Sequence, residues 1–443
     1  QRIKEYVMIK YLLLISFFSF SQEIITLEKA IQYAIDNSNN IKIAKNDLII
    51  NDNNTSLGSA GLLPSIIISS GYNSSVSNSE LKLNSFLDFG GESMNEIDAN
   101  NATSTSFSSS LGINYTLFNG FSGIYTLKKF KYLDNLSKQN LQLEIENKII
   151  EVVVKYYEFL NKKNLLNLLK ETYVISSDRY ERAFERSKYG LGSNLDLLNA
   201  EIDLNTDLIN LNNAEIDFKS TQNDFLNILG ISDTSVVFDE NVTFNNGLDL
   251  PELLKKQKVN NSSLLMADLN YNIAKQDLKI SKSKKSPKID LSTSISFNKS
   301  GSETSFISNQ TDRSFFGLIN IQFPIFNGNL VKNNIKNSKL NLQSKKLQLD
   351  EVRSQIEVSI KNTFNEYKLG LKNLKIQKDN LEIFELNFNK SKELFLLGQL
   401  NSIQFREAQL NLINFKINYK ANLYNTKIQE YLLYQFSGML IIE

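Results

Sequence analysis

The sequence has no cysteine, no histidine and no tryptophan, and only four prolines in 443 residues. Without cysteine there is no disulfide, thiol nucleophile or thiolate metal ligand. Without histidine there is no imidazole base, no Ser-His-Asp triad and no imidazole metal site. Carboxylates, lysine, tyrosine, serine and threonine remain for catalysis, and carboxylate pairs such as Asp203 and Asp207 read as a wetted helix face. No catalytic residue, metal or cofactor is therefore expected. An excess of one charge is also lacking: Lys+Arg 49 against Asp+Glu 48 give +1. That balance offers no case for a nucleic-acid partner, which a basic excess usually announces. Few prolines and 18 glycines favour long unbroken elements, and 41% hydrophobic with 22% charged residues suits an ordered chain.

What is present begins with an export signal. Met8 to Ser21 supplies a basic start, an apolar run and small Ser19 and Ser21 ahead of Gln22, which predicts a signal peptide over residues 1–21, with residues 1–7 an upstream extension. No cysteine follows the cleavage site, so an acylated amino terminus is not expected. No later run reaches the 18 apolar residues of a membrane helix. An exported chain of this kind is periplasmic, secreted or an outer-membrane β-barrel.

A long internal repeat organises the rest. Ala44 and Pro64 match Ala267 and Pro287 at an offset of about 223, and Phe118-Asn119-Gly120 matches Phe326-Asn327-Gly328 at about 208. The second offset also relates Gly190 to Gly398 and Ala200 to Ala408. These correspondences predict two structural repeats, 22–248 and 249–443, each reading helix, strand, strand, helix, helix. The first carries about 15 extra residues in a Ser/Asn-rich stretch around Ser74 to Ser106, read as a surface loop.

Four segments alternate apolar and polar residues: Ile66, Ile68 and Tyr72; Phe107 to Leu117; Ile289 to Phe297; Phe315 to Phe323. Their length of about ten residues is that of a transmembrane β-strand. A soluble two-sided sheet has the same period, and export together with the repeat favours the membrane. Heptad stripes fill the rest. Ile360, Tyr367, Leu374, Leu381, Phe388 and Phe395 form one; Val152, Phe159, Leu166, Tyr173 and Tyr180 its counterpart; Leu197, Leu204, Leu211, Phe218 and Phe225 a further stripe. No proline interrupts Gly123 to Lys188 or Leu330 to Leu397, so each helix can run on the order of 100 Å.

Taken together, the chain resembles the TolC-like outer-membrane efflux proteins. The resemblance rests on Leu27-Glu28-Lys29-Ala30 with Ala34 and Asn37, the junctions at Pro64 and Pro287, the Phe-Asn-Gly turns, and two tip motifs, Tyr189-Gly190-Leu191-Gly192 and Leu397-Gly398-Gln399-Leu400. It implies a mainly α fold with a β-barrel part: long coiled-coil helices forming a periplasmic α-barrel, and four strands per protomer shared in a 12-stranded barrel of a homotrimer. It implies a passive exit duct in the outer membrane of a Gram-negative bacterium, served by a periplasmic adaptor and an inner-membrane pump or ABC transporter.

By the same resemblance Tyr189, Gly190, Leu191, Leu397, Gly398 and Gln399 are candidate adaptor contacts, and Asp196, Gln404 and Glu407 are candidate gate residues. The gate departs from the family pattern, because Gln404 stands where an acid is expected and Gly192 and Leu400 stand where a basic partner occurs in some members. The extra first-half loop is expected to face outside the cell. The alternatives are a porin, which would lack the heptad stripes, and a periplasmic coiled-coil adaptor, which would carry compact β modules around one hairpin. Cargo is not legible, although four methionines and no histidine argue against soft-metal export.

Overall fold

The computed structural model describes residues 24–88, 93–232, 237–303 and 307–441. The expected export signal, residues 1–21, lies outside the described residues. In chain order the elements are β1 (Ile24–Ile25), α1 (Leu27–Asn37), α2 (Asn39–Asn54), β2 (Ser65–Asp88), β3 (Ser93–Phe118), α3 (Ser122–Lys188) and α4 (Asn194–Leu229). They continue with β4 (Val237–Phe238), α5 (Leu250–Asn260), α6 (Ser262–Ser283), β5 (Lys288–Ser302), β6 (Asn309–Gln322), α7 (Leu330–Leu396) and α8 (Ser402–Ser437). Helices α3 and α7 both have 67 residues, and α4 and α8 both have 36. Prolines sit where the missing amide does no harm: Pro64 and Pro287 immediately before β2 and β5, Pro324 just past β6, and Pro251 in the first turn of α5. No helix among the described residues is long and apolar enough to cross a membrane.

The chain divides into two compact units, each assembled from both halves of the sequence. One gathers the described residues up to Asn46 with Gln139–Met266 and the chain from Asp350 onward; the other gathers Asp47–Lys138 and Ala267–Leu349.

The first unit holds the hydrophobic core. Val152, Val153, Tyr156, Tyr157, Phe159 and Leu160 of α3 are buried against Phe225, Leu226 and Leu229 of α4, Ala30 and Ala34 of α1, Phe238 and Tyr424. Burial of each large apolar side chain contributes about 1.5–3 kcal/mol, and the rings add directed contacts: Phe159 meets Phe238 edge-on at 4.9 Å between centroids, and Tyr157 stacks on Tyr424 at 5.4 Å. Strand β4 reaches this core by pairing in parallel with β1, Ile24 opposite Val237 and Ile25 opposite Phe238. The pairing places Phe238 among the rings, and the Tyr156 hydroxyl donates to the Asp239 carbonyl at 2.6 Å. The last-turn carbonyls of α4 and α8 are met in parallel ways: Asn37 Nδ2 donates to Leu229 O at 2.8 Å, and Asn261 Nδ2 to Phe436 O at 3.0 Å.

The second unit holds one antiparallel sheet in the order β2-β3-β5-β6. Its register sorts side chains into two faces. Ile68, Leu111, Ile295 and Phe315 lie in one cross-strand row, and Tyr115, Leu291 and Ile319 in another of the same face. The opposite face carries the row Ser69, Ser110, Ser296 and Ser314, with Ser296 and Ser314 hydroxyls 2.7 Å apart, and Thr116 donating to Asp290 at 2.7 Å. Ile67, Phe316 and Leu318 interrupt that polar face.

The first hairpin corrects the expectation of ten-residue strands joined by a long loop. Strands β2 and β3 have 24 and 26 residues and stay paired from Ser65–Asn114 out to Asp88–Ser93, with register shifts at Ser77/Ser79 and Lys82/Leu87. The Ser/Asn-rich stretch is therefore a hairpin extension. Main-chain hydrogen bonds hold a ladder whatever its side chains, so the pairing outruns the apolar alternation that signals it.

A buried carboxylate in the first unit yields a test. Glu146 on α3 is 2% exposed and accepts from Ser262 Oγ at 2.7 Å and Gln142 Nε2 at 3.0 Å. Burial raises its pKa above the ordinary 4.5, and the two hydrogen bonds offset this only in part. A carboxyl whose folded pKa exceeds its unfolded one costs stability as pH rises through the folded value. Glu146→Gln keeps an acceptor for Ser262 and is expected to stabilise the protein at neutral pH, the gain vanishing below the unfolded pKa. Urea unfolding from about pH 4 to 8 checks this; a pH-independent difference would refute it.

Candidate functional site

Two turns reverse the chain between long helices, α3 to α4 and α7 to α8, and both close in the same way. After α3 the amides of Gly190 and Leu191 donate back to Ser187 and Arg186 carbonyls at 3.0 and 2.8 Å. After α7 those of Gly398 and Gln399 donate to Phe395 and Leu394 at 3.1 and 2.9 Å. This pair of bonds needs a left-handed residue at its centre, and Gly190 and Gly398 supply it with φ of 70° and 72°. The helices restart on polar caps. Ser193 Oγ accepts from the Leu195 amide at 3.2 Å, while Asn401 and Gln404 form a reciprocal capping box.

These bonds place each residue singled out from the sequence. Tyr189, Leu191 and Leu397 stand on these hydrogen-bonded turns at 70, 72 and 71% exposure. Asp196 occupies the exposed first turn of α4, where the helix dipole favours an acid. Gln404 has a local job: its side-chain oxygen accepts from the Asn401 amide at 3.4 Å. Asp196, Gln404, Gly398 and Gln399 line one cleft of about 690 Å³ between the turns; Tyr189, Gly190, Leu191, Leu397 and Glu407 are not part of its lining. From α3 the cleft receives Arg179, Arg182 and Arg186, spaced three and four residues apart and so on one helix face. Among the described residues no group of three or more His, Cys, Asp or Glu side chains gathers to hold a metal ion.

Sequence reasoning missed the strongest electrostatic feature beside this cleft and misread two of its members. Asp203 and Asp207 are not a wetted face. Asp207 is 3% exposed and takes both Nη atoms of Arg406 at 2.7 Å, in the two-pronged geometry that suits guanidinium and carboxylate, and Ser176 Oγ donates to it as well. Asp203 accepts both Nη atoms of Arg179 at 3.0 Å, and Arg179 also donates to Ser402 Oγ at 2.8 Å. Burial depresses the Arg179 pKa, with the Asp203 charge acting against it. The network joins α3, α4 and α8, so it ties the first helical hairpin to the second.

The heptad stripes shift accordingly near the turns. On α3 the buried positions after Leu166 are Thr172, Ser176 and Arg179, in place of the expected Tyr173 and Tyr180. On α4 they are Ala200, Asp207, Ala214 and Thr221, while Leu197, Leu204, Leu211 and Phe218 are only half-buried. The four- and three-residue intervals of Thr172, Ser176 and Arg179 were the available signal, masked by their polarity. The second hairpin keeps an aromatic seam instead, Phe405 stacking on Phe395 at 4.7 Å and Phe388 at 5.8 Å.

Removing one side of a buried ion pair leaves the other uncompensated, at about 3–5 kcal/mol. Arg406→Ala is therefore expected to loosen α4 and α8 beside the turns by about 3 kcal/mol. The double variant with Asp207→Ala should cost less than the sum of the two singles. Hydrogen exchange of the α4 and α8 amides, combined as a double-mutant cycle, measures this; additive losses would show that the pair is not coupled.

Comparison with known proteins places this geometry in context. The sequence pattern of the family described as outer membrane efflux protein matches residues 30–231 and 253–439. The chain is 21% identical over 343 residues to the outer membrane protein TolC of Escherichia coli strain K12, covering 75% of this chain and 69% of that one. It is 19% identical over 332 residues to the outer membrane efflux protein BepC of Brucella suis biovar 1, with 74% and 71% covered. In structure it superposes on the CmeC outer membrane channel of Campylobacter jejuni with a TM-score of 0.79 at 16% identity, covering 94% of this chain and 86% of that one.

Proposed function

The chain belongs to the outer membrane efflux protein family, and on that footing we propose that it is the exit duct of a tripartite export system. It lies in the outer membrane of a Gram-negative bacterium and conducts substrates outward. Its relatives are channels rather than enzymes, and in this reading it moves cargo passively, the energy coming from an inner-membrane pump or ABC transporter joined through a periplasmic adaptor.

One observation carries the reading: a four-stranded sheet with an apolar and a largely polar face leads, at the same end of all four strands, toward helical segments. An apolar outer face fits lipid and a polar inner face fits water. Four strands leave two open edges, and each unpaired backbone group in hydrocarbon costs several kcal/mol, so the strands must close with those of other copies. Three copies give a 12-stranded barrel and set α3, α4, α7 and α8 around a common periplasmic tube. A porin reading leaves the 67-residue helices without a role.

The turns then stand at the periplasmic mouth. Tyr189, Gly190, Leu191, Leu397, Gly398 and Gln399 would meet the adaptor, the exposed tyrosine and leucines providing apolar contact. Asp196 and Glu407, repeated threefold, would line the constriction and favour cations by focusing field in a narrow, low-dielectric passage. Gln404 contributes a polar but uncharged wall. The cluster of Arg179, Asp203, Arg406 and Asp207 supports this by fixing α4 and α8, the two helices that carry the acids.

Purified protein in a planar bilayer is expected to give small, cation-selective conductance. Asp196→Ala combined with Glu407→Ala should abolish the selectivity and leave the duct open. Conductance indifferent to the pair would remove the acidic ring while keeping the duct, and insertion without any conductance would refute the duct.

A further inference from the structure

The face of the sheet that carries the apolar rows ends, away from the helices, in two cations. On β5 the alternation Ile289, Leu291, Ile295, Phe297 continues to Lys299, and on β6 Ile321, Ile319, Phe315 continues to Arg313. From Ile289 to Phe297 the strand covers about 26 Å, on the scale of the apolar band of an outer-membrane barrel. Lys299 and Arg313 thus follow the last apolar residue on their strands, at the boundary where lipid headgroups begin.

The register brings them together. Phe297 is opposite Arg313 and Lys299 opposite Thr311, which makes the two cations diagonal neighbours with Cβ atoms about 7–8 Å apart, within reach of one phosphate. The next strands add aromatics at the same level: Lys299 is opposite Phe107, and Phe107 opposite Tyr72. Phe107 and Phe297 rings meet at 6.3 Å. Both cations are exposed, and neither is engaged by an ion pair or hydrogen bond among the described residues. The nearby acids are otherwise occupied. Asp312 belongs to the opposite face and accepts from Gln310, and Glu303 accepts from the Thr103 amide at 2.8 Å. Among the described residues, then, two unpaired cations stand at the end of an aromatic-edged apolar face.

Resting on the outer-membrane reading above, we propose that Lys299 and Arg313 bind the phosphate of a phosphorylated glycolipid in the outer leaflet. Arg313 would grip two phosphate oxygens with its planar fork while Lys299 supplies a point charge. Phe297, Phe107 and Tyr72 pack at the junction of sugar and acyl chains. The polar face of the sheet stays clear of this ligand, so the site serves placement of the barrel in an asymmetric membrane and not conduction.

The test uses the intact protein in detergent and native mass spectrometry with four probes: a bisphosphorylated lipid A type glycolipid, its fully dephosphorylated counterpart, phosphatidylglycerol and inorganic phosphate. Retention of the bisphosphorylated glycolipid about tenfold above the dephosphorylated form is expected. Lys299→Ala with Arg313→Ala should erase that preference, and Arg313→Lys should retain part of it. Because the preference is first measured on the unaltered chain, a misfolded variant cannot decide the outcome. Equal retention of the two glycolipids, a preference that survives in the double variant, or equal retention of phosphatidylglycerol would overturn the assignment. Displacement by inorganic phosphate at matched concentration would make the site one for a free anion and overturn it too. Bilayer conductance of the same preparation separates the cases: a conducting protein without glycolipid preference refutes the site alone, whereas one that never inserts refutes the duct and the site together.

Discussion

An open sheet edge cannot exist in hydrocarbon, and in the proposed duct that constraint governs the four-stranded sheet. Four strands with one apolar face bury their backbone polar groups on three ladders only, which leaves β2 and β6 as edges. In the proposed duct, closure by other copies is the physical remedy. It asks that the strand ends be held in a fixed register, and Pro64 and Pro287, immediately before β2 and β5, help by biasing the residue before each toward extended backbone. The long antiparallel ladder of β2 and β3 secures the sheet beyond the apolar band, where water could otherwise compete for its hydrogen bonds.

The two kinds of packing in the helical unit meet different needs. Around Tyr156, Phe159, Phe225 and Phe238 the contacts are apolar and aromatic, non-directional in energy and tolerant of small shifts. Near the turns the buried positions change to Thr172, Ser176, Arg179 and Asp207, whose hydrogen bonds accept only one arrangement. Buried ion pairs add little net stability over an apolar substitute, but removing one partner of such a pair is costly. A core that only has to cohere does not need that directionality.

The balance of charge follows the same division. With near-equal numbers of acidic and basic residues the chain exerts no strong overall field. Local effects therefore come from placement: three arginines on one face of α3 beside the cleft, Asp196 in the first turn of α4, and two cations at the end of the apolar face of the sheet.

Much of the fold was legible because it is periodic. Alternation marked the membrane-length parts of the strands, the absence of proline set the extent of α3 and α7 to within a residue or so, and the duplicated Phe-Asn-Gly and tip motifs gave their order. Gly190 and Gly398 were singled out by the duplicated tip motif, and their left-handed φ supplies the physical reason for glycine there. Three features were not. The extension of β2 and β3 through Ser and Asn has no side-chain signature, because main-chain bonds alone build it. The parallel pairing of β1 with β4 joins two dipeptides more than two hundred residues apart, too short for any period to appear. The ion network joins Arg179, Asp207 and Arg406 from three helices, and a charge pair is a property of two positions in space, whereas a heptad is a property of one segment. The sequence by itself determined the long helices and the alternating parts of the strands, since those depend on local spacing. Only the tertiary structure decided which charges are buried, because burial depends on what the rest of the chain brings alongside.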